Sequence, residues 1–540
     1  MKHKHAHAEN FVTRHLQVIL YIASALISIS AIVYFMLNGY QNLGNYDAVA
    51  RLNIARKITD SLTPGIGQLG GIWLPFPQIL MVPLVQSEFL WKTGLAGAII
   101  SGTAFVIGAV YIQKLTFLLT KNLSASILVW FMFVANINIL FLQTMALSEV
   151  FFLTSLTMVL YYLTKWIESH TLQHFLASGF FLIIITLTRY EGYFVLIGAT
   201  LVVLIECLRA YRHESLQKVE GMMLLFLTTA GFGVFLWCIY GFLFYNDFLH
   251  WLNLYSDGKI QVSTATQTVS ENTDKAFEVT EYSLATAFNI YTQVILWMNG
   301  KITTFIGLFG FVLLLGVMIK NGFKGKEVQK YMPLMIISIV LFAFLVYGYQ
   351  RGFIPEINLP PELIPVGDRK SFTIYSDSNM RYGIILAPCI LLLAGFAAAK
   401  SRILYVIIAL LFAAQLGANV YKPQALQYSL PILWPYSTLT QVAPFLDLYD
   451  EGSILIGANA HEDFMFQTGL PYKSFIYEGT RDFWVESLND PARYADWVIY
   501  DDDIQGDTVF YFMSDEARII LQRDFDLVYD VDGFKIWHLR

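Results

Sequence analysis

The chain has 540 residues, of which 56% are hydrophobic and 14% charged, with a mean hydropathy of +0.53. Soluble globular proteins carry roughly 25% charged residues, so a water-soluble enzyme of this size is all but excluded, and a net charge of −6 argues against a nucleic-acid binder. The average hides a split: residues 422–540 hold 20 acidic against 8 basic side chains, net −12, which leaves the remainder at +6.

Runs of about 17–25 apolar residues can cross a bilayer as helices. Taken in chain order, about eleven such runs stand at 17–37, 95–113, 123–142, 149–164, 175–188, 192–208, 222–244, 302–319, 332–349, 381–399 and 403–421. The 76–85 stretch is too short and proline-rich to span and reads as an interfacial or re-entrant segment. Lys2, Lys4 and Arg14 precede the first run. Lys114 and Lys121, then Lys165, then Arg209, Arg212 and Lys218, then Lys320, Lys324, Lys326 and Lys330, then Lys400 and Arg402 occupy every second loop. That alternation puts the N-terminus in the cytoplasm and the C-terminal part outside. Cys207, Cys238 and Cys389 all lie inside apolar runs, so neither a disulfide framework nor a zinc site is expected.

The expected fold is a polytopic all-α membrane protein of about 11 transmembrane helices over residues 1–421, followed by a small extracytoplasmic α/β domain over 422–540. The first outer loop, 38–94, is long. Two more outer loops, 245–300 and 350–380, are long and polar; the Ser/Thr-rich stretch from Ser263 to Thr273 should be mobile. In the tail, 453–458, 497–500, 526–529 and 535–539 read as short strands, the last two joined by a Val531-Asp532-Gly533 turn. Asp490-Pro491 reads as a helix start.

The segment Asn45–Leu62 has apolar residues at helical spacing and reads as an amphipathic helix lying on the outer membrane surface. Asp47 falls in its first turn and Arg51 one turn on, on the same face; Arg56 and Lys57 follow. One reading makes Asp47 a charge favourable to the helix dipole and the cations snorkelling groups. The other makes them part of a site. The topology brings Asp47, Glu149, Arg189, Glu191, Asp377 and Arg381 to one level, the outer mouth of the helix bundle, and ionisable groups near membrane depth are functional candidates. Their mixed sign suits a substrate with an anionic phosphate and a hydroxyl that needs a base. In the tail, His461-Glu462-Asp463 and Asp501-Asp502-Asp503 lack the spacing and glycine of an EF-hand loop and read as solvated strand ends.

Four features together resemble the GT-C superfamily of integral-membrane glycosyltransferases, in particular the protein O-mannosyltransferase and lipid A aminoarabinose transferase relatives. They are Tyr46-Asp47 in the long first loop with its following helix, the return Trp73-Leu74-Pro75-Phe76-Pro77, the turn from Asn136-Ile137-Asn138 to Ala146-Leu147-Ser148-Glu149, and Met380-Arg381-Tyr382 leading to Pro388. The resemblance covers about residues 15–421. It implies a polyprenyl-phosphate-linked sugar donor used on the non-cytoplasmic face, with a protein, lipid or polysaccharide acceptor. It places the catalytic base on Asp47, a second acidic position on Glu149, and the cation that holds the lipid phosphate on Arg381, beside Tyr382. Ala48, not a second acid, follows Asp47, and the Trp-Trp-Asp-Tyr-Gly signature of oligosaccharyltransferases is absent, which disfavours N-glycan transfer.

Transfer from a phosphate-linked donor can run on one carboxylate, because the leaving group is already a weak base. Asp47 would take the acceptor's proton, while Arg381 and Arg51, or Lys57, stabilise charge growing on the phosphate; single displacement inverts the anomeric carbon. Arg189 and Glu191 complete the expected substrate-binding set. A divalent cation (Mg2+ or Mn2+) shared by Asp47 and Glu149 is one expectation, Glu149 capping its helix the other. The rival function is a transporter or flippase of lipid-linked saccharide, for which Asn136, Asn138 and Gln415 are the few polar groups within apolar runs. The expected location is a prokaryotic plasma (inner) membrane.

Overall fold

The structure, a computed structural model, describes residues 2–211, 215–252, 283–322, 325–351, 379–421, 436–504 and 507–540. Among these, eight helices are long and apolar enough to cross a membrane. The helices Leu216–Ala230 and Phe232–Tyr245, bent by 48° at their junction, pass the same test only together and bring the number to nine if the pair is one span; Leu123–Val134 and Leu172–Thr186 are shorter apolar helices. Each of the eleven apolar runs falls on a described helix or helix pair. The protein is therefore a multi-pass membrane protein.

The chain divides into two compact units: Met1–Asn42, Ala98–Leu236 and Thr280–Leu433 form the first, and Leu43–Gly97, Trp237–Val279 and Trp434–Arg540 the second. The first outer loop thus belongs with the tail and not with the spans on either side of it.

In the first unit, Lys301–Lys320 packs along Ala387–Ala398, and Glu191–Tyr211 along Met332–Gln350. Gly310 permits the first of these contacts, since a Cβ there would collide with the Leu393 carbonyl; small residues let membrane helices approach closely. One element departs from expectation. The outer loop 245–300, read as polar, contains the helix Leu284–Asn299, capped by Ser283, with Ile290, Tyr291, Val294 and Met298 buried. At 16 residues it is too short to register as a span. The Ser263–Thr273 stretch, most of the 350–380 loop including Asp377, and the start of the tail at 422–435 lie outside the described residues.

The second unit contains a five-stranded sheet. Strands β1 (Ile454–Ile456), β2 (Phe475–Ile476), β3 (Trp497–Asp501), β4 (Phe525–Val531) and β5 (Phe534–Leu539) lie in the order β2-β1-β3-β5-β4. β1 is parallel to β2 and β3, while β5 runs antiparallel to both β3 and β4. The β4–β5 hairpin turns at Asp532 and Gly533, both at positive φ, as a tight right-twisted hairpin requires. Helix Pro491–Tyr494 begins where expected, although the Asp490 side chain makes no cap. Trp484, Val498, Val509, Leu521 and Phe525 centre the core under the sheet, and Leu62 of the first loop packs against it.

Candidate active site

In the second unit, the expected helix forms at Tyr46–Lys57, with the Asn45 side chain accepting from the Asp47 N–H. Its environment corrects the amphipathic surface reading. Ala48, Val49, Leu52 and Ala55 are buried, and so are the polar Arg51, Asn53 and Lys57. The reason lies in the tail. Tyr46, Asn53 and Lys57 share one face of the helix, and that face meets helix Ala458–Thr468. The Tyr46 hydroxyl donates to the Asn459 carbonyl at 2.8 Å. Asn53 Nδ2 donates to the Glu462 carbonyl at 2.8 Å and to its Oε2 at 2.7 Å, while Lys57 Nζ donates to Glu462 Oε1 at 2.5 Å. The Lys57 ammonium lies 4.4 Å from the Tyr477 ring centroid and 5.4 Å from that of Tyr472.

His461-Glu462-Asp463 and Asp501 are therefore not solvated strand ends: His461, Glu462 and Asp501 are buried. His461 Nε2 lies 2.8 Å from Asp507 Oδ2, which also accepts the Asp501 N–H at 2.7 Å. The buried Glu478 carboxylate accepts the N–H groups of Ala458 (2.9 Å) and Asn459 (3.3 Å) at the start of helix Ala458–Thr468, and the Thr508 hydroxyl at 2.5 Å. A carboxylate at a helix N-terminus is favoured by the dipole. Burial nevertheless pushes the Glu478 carboxyl above its ordinary range, against the hydrogen bond from Thr508, and burial also raises that of Asp463.

Asp47 and Arg51 occupy a different face of the same helix, roughly 100–140° round from Tyr46 at 100° per residue. Asp47 is half-buried and Arg51 buried. The Arg51 guanidinium lies 4.9 Å from the ring of Trp73, the tryptophan of the proline-rich return. Arg56 turns instead to the Val85 carbonyl (2.6 Å) and to Asp60 (3.2 Å). Of the three cations on this helix, Lys57 is committed to Glu462 and Arg56 to backbone and Asp60; only Arg51 shares the side of Asp47.

In the first unit, Glu149, Arg189, Glu191, Arg381 and Tyr382 come together. Glu149 opens helix Glu149–Ser169 and Glu191 opens Glu191–Tyr211. Arg189, between them, donates from Nη1 to Glu149 Oε1 at 2.9 Å and to Ser148 Oγ at 3.1 Å. It also forks onto Glu191, Nε to Oε2 at 3.2 Å and Nη2 to Oε1 at 2.7 Å. Arg381 Nε lies 3.5 Å from the same Glu149 oxygen, and the Tyr382 ring lies under Arg189 at 4.8 Å. All four charged residues are buried. Two carboxylates and two guanidiniums balance, which is the condition for keeping charge away from water.

Arg381 owes its place to Gly383 and helix Leu284–Asn299. The Gly383 carbonyl accepts from Asn299 Nδ2 at 2.9 Å, and a Cβ at Gly383 would strike the Val294 carbonyl. This helix, with Tyr291, is the part of the site that sequence reading missed.

The divalent cation expected at Asp47 and Glu149 finds Glu149 Oε1 already facing two guanidiniums. Among the described residues no group of three or more His, Cys, Asp or Glu side chains could hold a metal ion.

Two solved structures of one membrane protein share the fold of this chain. ArnT from Cupriavidus metallidurans bound to undecaprenyl phosphate is similar at a TM-score of 0.53 and 10% identity, over 96% of this chain and 97% of that one. Apo ArnT from the same organism gives 0.50 and 12%, over 97% and 98%. The archaeal oligosaccharyltransferase AglB from Archaeoglobus fulgidus, in complex with an inhibitory peptide and a dolichol-phosphate, gives 0.46 and 10%, over 98% and 74%. No family model and no curated protein matches the sequence.

Proposed function

We propose that the protein transfers a sugar from a polyprenyl-phosphate-linked donor to an acceptor hydroxyl on the non-cytoplasmic face of a plasma membrane. The observation that carries this reading is the GT-C fold shared over 96% of the chain with ArnT bound to undecaprenyl phosphate. The basic loops orient the N-terminus to the cytoplasm and the tail outward.

In this reading Asp47 is the general base. The acceptor oxygen attacks the anomeric carbon as its proton passes to the Asp47 carboxylate; the bond from that carbon to the phosphate oxygen breaks, the electron pair leaves with the polyprenyl phosphate, and the anomeric centre inverts. Arg51, stacked on Trp73 on the side of Asp47, is the second unit's cation for phosphate charge, by charge-assisted hydrogen bonds that strengthen as the charge grows, and Arg381 is the first unit's candidate for that role. Lys57 is left out of that role because Glu462 holds it. Glu149, Arg189 and Glu191 act as the frame that fixes Arg381, so no step is routed through a metal.

The test is Asp47→Asn. General-base catalysis contributes typically 10²–10⁴-fold, so the variant should lose transfer by about that factor while retaining its thermal midpoint and its donor affinity. A folded, donor-binding variant that transfers at the wild-type rate removes Asp47 from the mechanism.

A further inference from the structure

Asn136, Asn138 and Gln415, the amides inside apolar runs, line one cavity of about 280 Å³ in the first unit. Its walls are mostly apolar, with Met132, Leu296, Phe412 and Leu416 among them, and Gly300 and Lys301 also line it. Two of the bordering helices are among the least buried of the spans: 33% of the window in Lys301–Lys320 and 17% of that in Arg402–Asn419 lie inside the protein. The cavity is therefore bordered by two helices with much exposed apolar surface. It sits where Lys301–Lys320 begins and Arg402–Tyr421 nears its end, the depth at which helix ends meet lipid headgroups.

Two polar features of this cavity call for a ligand. Lys301 is exposed, its ammonium 4.3 Å from the Trp297 ring, and it has no carboxylate partner among the described residues. It also stands in the first turn of its helix, where the dipole disfavours a cation and favours an anion. Asn138 is 2% exposed; its Nδ2 donates to the Met298 carbonyl at 2.9 Å, whereas its Oδ1 has no hydrogen-bond partner among the described residues. A buried acceptor left without a donor is costly.

We propose that this cavity seats the headgroup of an anionic, hydroxyl-bearing glycerophospholipid. The phosphate lies against Lys301, a headgroup hydroxyl donates to Asn138 Oδ1, and one acyl chain runs along Phe412 and Leu416. Asn138 then serves a lateral lipid seat and not a route through the bilayer, while Asn136 caps helix Ile137–Leu142 and Gln415 bonds the backbone N–H and hydroxyl of Thr303. The inference does not rest on the transferase reading.

The purified full-length chain, delipidated in neutral detergent, is titrated separately with phosphatidylglycerol and phosphatidylcholine, and bound lipid is counted by native mass spectrometry. One interfacial lysine is worth about a fivefold preference for an anionic lipid, so phosphatidylglycerol should bind at least about fivefold more tightly. Lys301→Gln should abolish that preference, and Ala418→Trp, which crowds the cavity rim, should weaken phosphatidylglycerol binding. Both positions are exposed, so neither change disturbs packing, and unchanged thermal midpoints verify it. Equal binding of the two lipids by the wild type, or undiminished preference in both variants, overturns the proposal. Competition by water-soluble glycerol phosphate as strong as that by the lipid also overturns it, because the apolar walls would then contribute nothing.

Discussion

Among the described residues, two of the buried charge clusters are built by different means. In the first unit, Arg189 bridges two carboxylates that each open a helix, and Glu149 faces a second guanidinium from Arg381. In the second, one lysine of the first loop meets one glutamate of the tail, 405 residues away, between two tyrosine rings. The first cluster is built at helix ends: its acids lie at helix starts, where the dipole favours them, and Arg189 and Glu191 are two residues apart, while Arg381 joins from a distant segment. The second is a clasp. It ties the helix that carries Asp47 to the tail, and Tyr46 and Asn53 reinforce it along the same face. The tail therefore acts as the support of the first loop.

Removing a partner separates these two designs. Arg189→Met leaves Glu149 and Glu191 buried without their shared cation. Breaking one buried pair costs about 3–5 kcal/mol, so this variant should lose at least that much stability and, if it folds, most of its activity; a thermal midpoint within a degree or two of wild type would show that the cluster is hydrated. Glu462→Leu strands Lys57 alone and should cost about 3–5 kcal/mol. Here the clasp predicts a rescue: Lys57→Met with Glu462→Leu should recover most of the stability, since an apolar pair can replace a buried ion pair. Failure of the double variant to recover would mean that the hydrogen bond from Asn53 to the Glu462 side chain, and not the ion pair, dominates.

Chelation should perturb both regions little. With Glu149 engaged by arginines, EDTA is expected to change transfer by less than about twofold, whereas a loss beyond about tenfold that magnesium or manganese restores would put a cation at the site. The smallest effect is one of pH. Burial holds the Glu478 carboxyl above its ordinary value of 4.5, so the folded chain keeps a proton that the unfolded chain has already lost. That contribution is full below the unfolded value and disappears as pH rises through the folded one. Asp463, raised in the same direction, adds to it. The thermal midpoint should rise as the protein is acidified from neutrality toward pH 5, and Glu478→Gln should flatten the rise.

Sequence and structure agree most where one physical rule dominates. The spans were legible because hydrocarbon admits only long apolar helices, and the β4–β5 hairpin because Asp-Gly specifies its turn. Glu149, Arg189, Glu191 and Arg381 could be grouped because alternating basic loops put their helix ends on one side. The Tyr46–Lys57 helix was legible as a helix and misread as a surface, since its polar stripe pointed to polar partners and not to water. Nothing local in His461-Glu462-Asp463 reveals that Lys57 is its neighbour; the one signal available was the spacing of Tyr46, Asn53 and Lys57 on a single face. Helix Leu284–Asn299 escaped notice because it is too short for a span and follows a long polar stretch.

The central claim is met most directly by giving the purified protein, in vesicles, a polyprenyl-phosphate sugar labelled in the sugar, together with acceptors bearing free hydroxyls. The account predicts that label moves to an acceptor hydroxyl, with the anomeric configuration opposite to that of the donor. Label that crosses the bilayer still attached to its lipid, or that stays on the donor with every acceptor offered, would contradict it.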